Sequence, residues 1–234
     1  MQPASNNTTE EKIRVVLLCN GLSFEAWEAA AIRQVTELPF VELVLVVENN
    51  NTSSGATLKQ PLRYPWRNFF WRIYKRKRLS KIDAVQLVDL SDELERLPRI
   101  KTITSLKGKY SEIFPEETIS RIREAKADVI LRFGFNIIRG EILTAARYGV
   151  WSYHHGDEQQ FRGGPPGFWE MVRGVTVTGA ILQRLTEKLD SGIVLRKGYF
   201  PTIRKSYRAQ LNQLLNGTSA WMKLVLIDVH NGIT

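Results

Sequence analysis

Two of the three histidines, His154 and His155, stand side by side in the segment Trp151-Ser152-Tyr153-His154-His155-Gly156-Asp157. An imidazole changes charge near neutral pH, so a histidine delivered to a loop can move a proton during turnover. A carboxylate facing that ring would orient it and stabilise its cation. Asp190, in the turn Leu189-Asp190-Ser191-Gly192, is placed to do so for His154. Between the two lies Arg162-Gly163-Gly164-Pro165-Pro166, a turn that opens a helix and whose arginine could meet a phosphate or carboxylate. Taken alone, a histidine ending a strand is more often structural, and an Asp-Ser-Gly is usually just a turn.

Chemistry on loops needs a rigid scaffold. The aliphatic run at 13–18 ends at Asn20-Gly21 and reads as a buried parallel strand. Ser23 resembles an N-cap for a helix over 24–35, and 40–47 is a second strand. Strand, helix, strand is a βαβ unit and implies an α/β sheet. A strand at 100–103, a helix at 115–125 and a central strand at 129–133 follow. A helix over 140–147 closed by Gly149 leads into the strand 150–154 that carries His154. A helix at 166–173 closes at Gly174. Alternation over 178–184 and 193–200 predicts antiparallel strands, and Ser206 caps a last helix over 207–229. The change of strand type near residue 175 predicts one mixed, mainly parallel sheet with helices on both faces. It occupies a single domain over 11–234, behind a disordered polar tail at 1–10. A last helix ending so close to Thr234 leaves open a further C-terminal domain.

The 234 residues are 43% hydrophobic and 24% charged, ordinary for a globular protein. A net charge of +9 favours anionic partners: nucleic acid, acidic lipid or phosphorylated small molecules. Cys19 is the one cysteine, so no internal disulfide forms; it reads as a buried, inert thiol and fits a reducing cytoplasm. No apolar run is long enough for a spanning helix. Neither Gly21 nor Gly134 sits in a GxGxxG or P-loop pattern, and no metal-ligand set is assigned. The stretch 63–81 is both basic and aromatic. Trp66, Phe69, Phe70, Ile73 and Tyr74 recur at helical spacing, which predicts an amphipathic helix docked on the sheet. An acidic membrane surface or RNA are the alternative partners for it.

The stretch 130–195 resembles the folate-dependent formyltransferase family, which includes the methionyl-tRNA, glycinamide ribonucleotide and dideoxyamino-sugar formyltransferases. The resemblance is carried by Ser152-Tyr153-His154, Phe161-Arg162-Gly163, the helix at 166–173, Thr178-Gly179 and Leu189-Asp190-Ser191-Gly192. No gap is needed between His154 and Asp190. The strand Ile130-Leu131-Arg132-Phe133-Gly134-Phe135 also stands where the family has a strand followed by glycine.

That resemblance implies a Rossmann-like formyltransferase fold and N10-formyltetrahydrofolate as cofactor. An acceptor amine attacks the formyl carbon, and a tetrahedral oxyanion forms and collapses. His154 is then the general base and oxyanion neighbour, and Asp190 orients it and holds an ordered water. The family's third residue is an asparagine whose amide donates to the oxyanion. Here its position holds Ser152, with a shorter reach; losing one such donor costs about 2.7–4 kcal/mol of barrier. The following loop also departs: His155-Gly156-Asp157-Glu158 replaces a Ser-Leu-Leu-Pro run, so His155 or Asp157 could supply what Ser152 does not. The resemblance assigns Phe133, Gly134, Phe135, Gly156 and Asp157 to the cofactor, and His155, Arg162 and Gly163 to the acceptor. The expected reaction is N-formylation of an amino sugar or sugar conjugate, with a small-molecule amine acceptor that is phosphorylated or nucleotide-linked. The tRNA-acting relatives carry an additional C-terminal domain, and 230–234 gives it no room, so tRNA is not expected. Two other readings stay open: a methionyl-tRNA formyltransferase-like enzyme, and a binding module that keeps the fold without the chemistry.

Overall fold

The computed structural model describes residues 12–51, 82–108, 110–161, 164–188 and 191–233. The tail at 1–10 and the basic aromatic stretch 63–81 lie outside the described residues. The strands, in chain order, are β1 (Ile13–Cys19), β2 (Ser23–Glu25), β3 (Val41–Asn49), β4 (Leu87–Asp89), β5 (Arg99–Thr102) and β6 (Ser105–Lys107). They continue with β7 (Ser111–Ile113), β8 (Val129–Arg132), β9 (Ile137–Arg139), β10 (Val150–His154), β11 (Val177–Arg184) and β12 (Ile193–Pro201). The helices are α1 (Ala26–Thr36), α2 (Glu116–Glu124), α3 (Phe168–Val172), α4 (Tyr207–Thr218) and α5 (Trp221–His230).

Among the described residues, seven strands form the main sheet in the order β12-β11-β10-β8-β1-β3-β5. The pairs from β5 to β10 are parallel; β11 runs antiparallel to both β10 and β12. The expected switch of strand type is therefore observed, and the fold is the mixed, mainly parallel Rossmann-like one. The chain builds outward from β1 to β5, then returns to β8 on the other side of β1. This reversal puts the carboxyl ends of β1 and β8 at a switch point, where α/β sheets open a crevice.

Both faces of the sheet are covered, which is why β1 is continuously apolar from Val15 to Cys19. Val15, Leu17 and Cys19 pack toward Ala29, Ile32 and Val35 of α1 and toward Met222, Val225 and Leu226 of α5. Val16 and Leu18 pack the other way, in one cluster with Ile119 and Ile122 of α2 and with Ile142. Burial, the larger effect, raises the Cys19 thiol to about 12, so it is inert as expected.

Three local expectations need correction. Ser23 does not cap the first helix: Ser23–Glu25 pairs with β4, because Phe24 turns into the core at 2% exposure. Glu25 is the cap, in a reciprocal box with Glu28. The stretch 140–147 forms only a short 3-10 turn, Glu141–Thr144, bracketed by Gly140 and Gly149 at positive φ. The last helix divides between α4 and α5. There the Tyr153 hydroxyl donates to Ser219 O at 3.2 Å and accepts from Met222 N at 3.3 Å, and the Ser219 hydroxyl bonds back to Asn216 O. Those partners take over groups that would continue the helical ladder.

Candidate active site

Strand β10 sorts its residues by period two. Trp151 and Tyr153 face α1 and α5, and Trp151 is 1% exposed in that core. Val150, Ser152 and His154 face the other way. A residue, a spacer and a histidine at a strand end thus put two polar side chains on one face. The neighbours are set by register: Trp151 pairs with Leu131 of β8, so Arg132 comes next to Ser152, and Gln183 of β11 lies opposite Ser152 on the other side.

These side chains open into a cleft of about 210 Å³. Ser152 and His154 form its floor. Arg132, Asn136 and Arg139 with Ile137 and Ile138 form one wall, and Gln183, Leu185, Thr186, Lys188 and Gly192 the other. The lining is mixed: Ile137, Ile138 and Leu185 offer apolar surface among polar side chains, and Arg139 and Lys188 bring positive charge to it.

Ser152 is 3% exposed, and its Oγ accepts from Arg132 Nη1 at 2.9 Å. Arg132 is also tied by Nη2 to Phe135 O at 2.8 Å and Asn136 O at 2.7 Å. Its Nε is enclosed without a partner, as is Oε2 of Glu112, a β7 carboxylate that is 2% exposed. Burial lowers the guanidinium's hold on its proton, and the Glu112 charge opposes that shift. Sequence reasoning missed Arg132. The available signal was a cation closing the otherwise aliphatic strand Val129-Ile130-Leu131.

His154 is partly buried. Its Nε2 would lie 3.2 Å from a Cβ at Gly156, and that Cβ would meet Phe161 O at 2.8 Å. Only glycine leaves the ring its place, so Gly156 shapes the floor of the site. Asp190 lies outside the described residues, as do Arg162 and Gly163. The ends of the Asp190 loop are nevertheless fixed. The Thr186 hydroxyl reaches Lys188 O and Ser191 O, and Gly192 packs so close to Gln183 that a Cβ would overlap its side chain. Lys188 and Gly192 line the same cleft as His154.

The other sequence candidates lie around this floor. His155 stacks on Tyr153 at 5.7 Å, meets the Trp27 edge at 5.0 Å and bonds Thr218 Oγ1 at 3.0 Å. Since that hydroxyl donates to Leu214 O and Leu215 O, His155 Nε2 is the donor. Burial, then the neighbouring His154, lowers its pKa to about 3, so it is neutral. Asp157 is 8% exposed and accepts from Gln159 N and from Lys197 Nζ. Gly179 backs onto it, where a Cβ would stand 3.1 Å from Asp157 Cα, which explains the Thr-Gly opening of β11. Phe133 packs against Trp27 at 6.1 Å, and Phe135, at φ 63°, against Phe114 at 4.8 Å. Gly134 lies on Asn20, whose side chain accepts from Phe135 N. Glu170 of α3, also missed, is 2% exposed with Oε1 unpartnered. Burial raises its carboxyl above the usual range, Asp157 adds to this, and its own N–H and His154 oppose it.

An imidazole beside a buried hydroxyl and a guanidinium, at the carboxyl end of a Rossmann-like sheet, is an arrangement able to support group transfer. Residues 12–222 match the family model described as formyl transferase, and the chain belongs to that family. Among solved structures, it is similar to glycinamide ribonucleotide transformylase 1 from Symbiobacterium toebii, with TM-score 0.61 and 14% identity over 95% of this chain and 89% of that one. A phosphoribosylglycinamide formyltransferase from Brucella melitensis gives TM-score 0.60 at 14% identity, over 94% and 96%. A formyltetrahydrofolate deformylase from Pseudomonas syringae pv. tomato gives 0.58 at 17%; it covers 93% of this chain, which spans 62% of the deformylase's length. Among the described residues, no helix is long and apolar enough to cross a membrane.

Proposed function

We propose that this enzyme transfers the formyl group of N10-formyltetrahydrofolate to a primary amine on a small molecule, an amino sugar or a phosphorylated or nucleotide-linked sugar. The observation that carries the reading is the pairing of His154 and Ser152 on one face of β10, over a cleft that Lys188 and Gly192 also line. The donor is a substrate of the reaction and supplies the formyl carbon. Two features of the cleft support this donor: the apolar surface of Ile137, Ile138 and Leu185 for a flat ring, and Lys188 for a carboxylate. His154 takes the proton that the attacking amine must lose. Asp190 holds the ring's orientation and stabilises its charged form. The preference for a sugar acceptor rests on the basic balance of the chain and on its unusual loop after His154.

Calorimetry with tetrahydrofolate tests the donor site, and thermal stabilisation reports the same binding. No binding at high concentration would remove the reading. A panel of amines then separates acceptors: tetrahydrofolate release with a nucleotide-linked amino sugar supports the sugar assignment. Release with water alone would make the chain a hydrolase of formylfolate instead.

A further inference from the structure

We infer that Arg132 and Ser152 act as one oxyanion-binding unit, in which Arg132 holds and polarises the Ser152 hydroxyl so that the pair stands in for a side-chain amide. The inference rests on the formyl-transfer reading above. It starts from hydrogen-bond direction. A guanidinium has donors only, so at 2.9 Å Arg132 Nη1 must give its proton to Ser152 Oγ. The hydroxyl proton of Ser152 then points elsewhere. Its one neighbouring acceptor among the described residues is Tyr153 O at 3.4 Å, too long to hold it firmly. The proton is therefore available to the cleft that Ser152, Arg132 and His154 line together.

The arrangement is stiff as well as aimed. Two backbone carbonyls fix the other end of the guanidinium, at 2.8 and 2.7 Å. A donor that need not reorganise as charge develops is the kind that lowers a barrier. A charge-assisted bond into Oγ also makes its O–H a stronger donor. In the reaction, the acceptor nitrogen bonds the formyl carbon and the bond from that carbon to N10 breaks. One proton leaves the amine through His154 and one reaches N10. The formyl oxygen carries extra negative charge only between these events, which is when the Ser152 proton and the Arg132 charge act on it. Arg132 works through Ser152 and is a positioning residue.

The test compares two ligands by calorimetry: tetrahydrofolate, and a folate analogue with an aldehyde in place of the formamide, whose gem-diol hydrate has the tetrahedral shape of the intermediate. Ser152→Ala and Arg132→Ala should weaken the analogue, and lower kcat, by roughly 10²–10³-fold, the scale of one lost oxyanion donor. Tetrahydrofolate affinity should fall far less, by no more than about tenfold, so the ratio of the two affinities reports the lost oxyanion contact. Adding Ser152→Asn to Arg132→Ala should recover most of the loss, because an amide reaches the oxygen without the guanidinium. If Arg132→Ala fails to fold because Glu112 loses its counter-charge, the double change Glu112→Gln and Arg132→Met, which leaves no donor at 132, carries the same comparison. An Arg132 variant that binds the analogue like the wild type, or a double variant that asparagine does not rescue, overturns the inference. Tetrahydrofolate binding with no preference for the analogue overturns it while sparing the formyl-transfer reading; binding of neither ligand overturns both.

Discussion

The two adjacent histidines have opposite environments. His154 faces the cleft beside Ser152, whereas His155 is turned into the aromatic cluster of Trp27 and Tyr153 and anchored on α4 through Thr218. One ring can accept a proton in turnover; the other is held neutral by burial. Their alanine variants should separate cleanly. His154→Ala should lower kcat by roughly 10²–10⁴-fold, the range of a lost general base, with tetrahydrofolate affinity and melting temperature little changed. His155→Ala should instead cost about 1–3 kcal/mol of stability, since it removes a packed ring and a buried hydrogen bond. Steady-state rates and urea midpoints on both variants check this. Equal rate losses in the two would remove the distinction. Asp190→Asn should follow His154→Ala in losing rate, since an amide cannot stabilise the imidazolium.

At the scale of elements, the site depends on two places where backbone approaches backbone. A Cβ at Gly134 would come within 2.7 Å of Asn20 Oδ1 and 2.9 Å of Asn20 N, so β8 could no longer meet the end of β1. Gly134→Ala should destabilise the fold by about 1–3 kcal/mol, the cost of overpacking, read as a lower urea midpoint. A Cβ at Gly192 would stand 2.9 Å from Arg184 O, and the nearby Gln183 would have to move. Gly192→Ala should therefore displace the Asp190 loop, lowering kcat more than it lowers stability. A variant that loses stability and keeps its rate would show that the loop is not tied to the chemistry. The same two loops mark what could be read from sequence. Burial on both faces made β1, β3 and β8 legible as aliphatic runs, whereas β11, expected to alternate, is buried continuously from Thr178 to Leu182 because it lies inside the sheet between β10 and β12. The short strands β2, β6, β7 and β9 were not legible, because three residues carry no period and their pairing is set by partners distant in sequence. His154 was legible from its motif. Arg132 and Glu170 were not, because a charged side chain reads as solvated until the fold shows that it turns inward.

Across the whole molecule, two titrating groups oppose each other in pH dependence. His155 has its pKa lowered from 6.5 to about 3 in the folded chain, by burial first and His154 second. Between those values the unfolded chain carries a proton that the folded chain refuses, so stability falls as pH falls. Glu28, in the capping box of α1, is raised from 4.5 to about 7 by burial, with the Glu25 charge adding to it. There the folded chain keeps a proton that the unfolded chain has released, so stability falls as pH rises between those values. From pH 4.5 to 6.5 the two contributions have opposite slopes, each up to about 1.4 kcal/mol per pH unit for one full proton, and they cancel. Glu28→Gln preserves an acceptor for the Glu25 amide while removing the titration, and should expose the His155 slope. Relative to the wild type, its stability should rise from pH 4.5 to 6.5 in urea unfolding series at matched ionic strength. His155→Gln should show the reverse, falling relative to the wild type over the same interval. Parallel curves for Glu28→Gln and the wild type would mean that the capping carboxyl is ionised in the folded protein throughout this range.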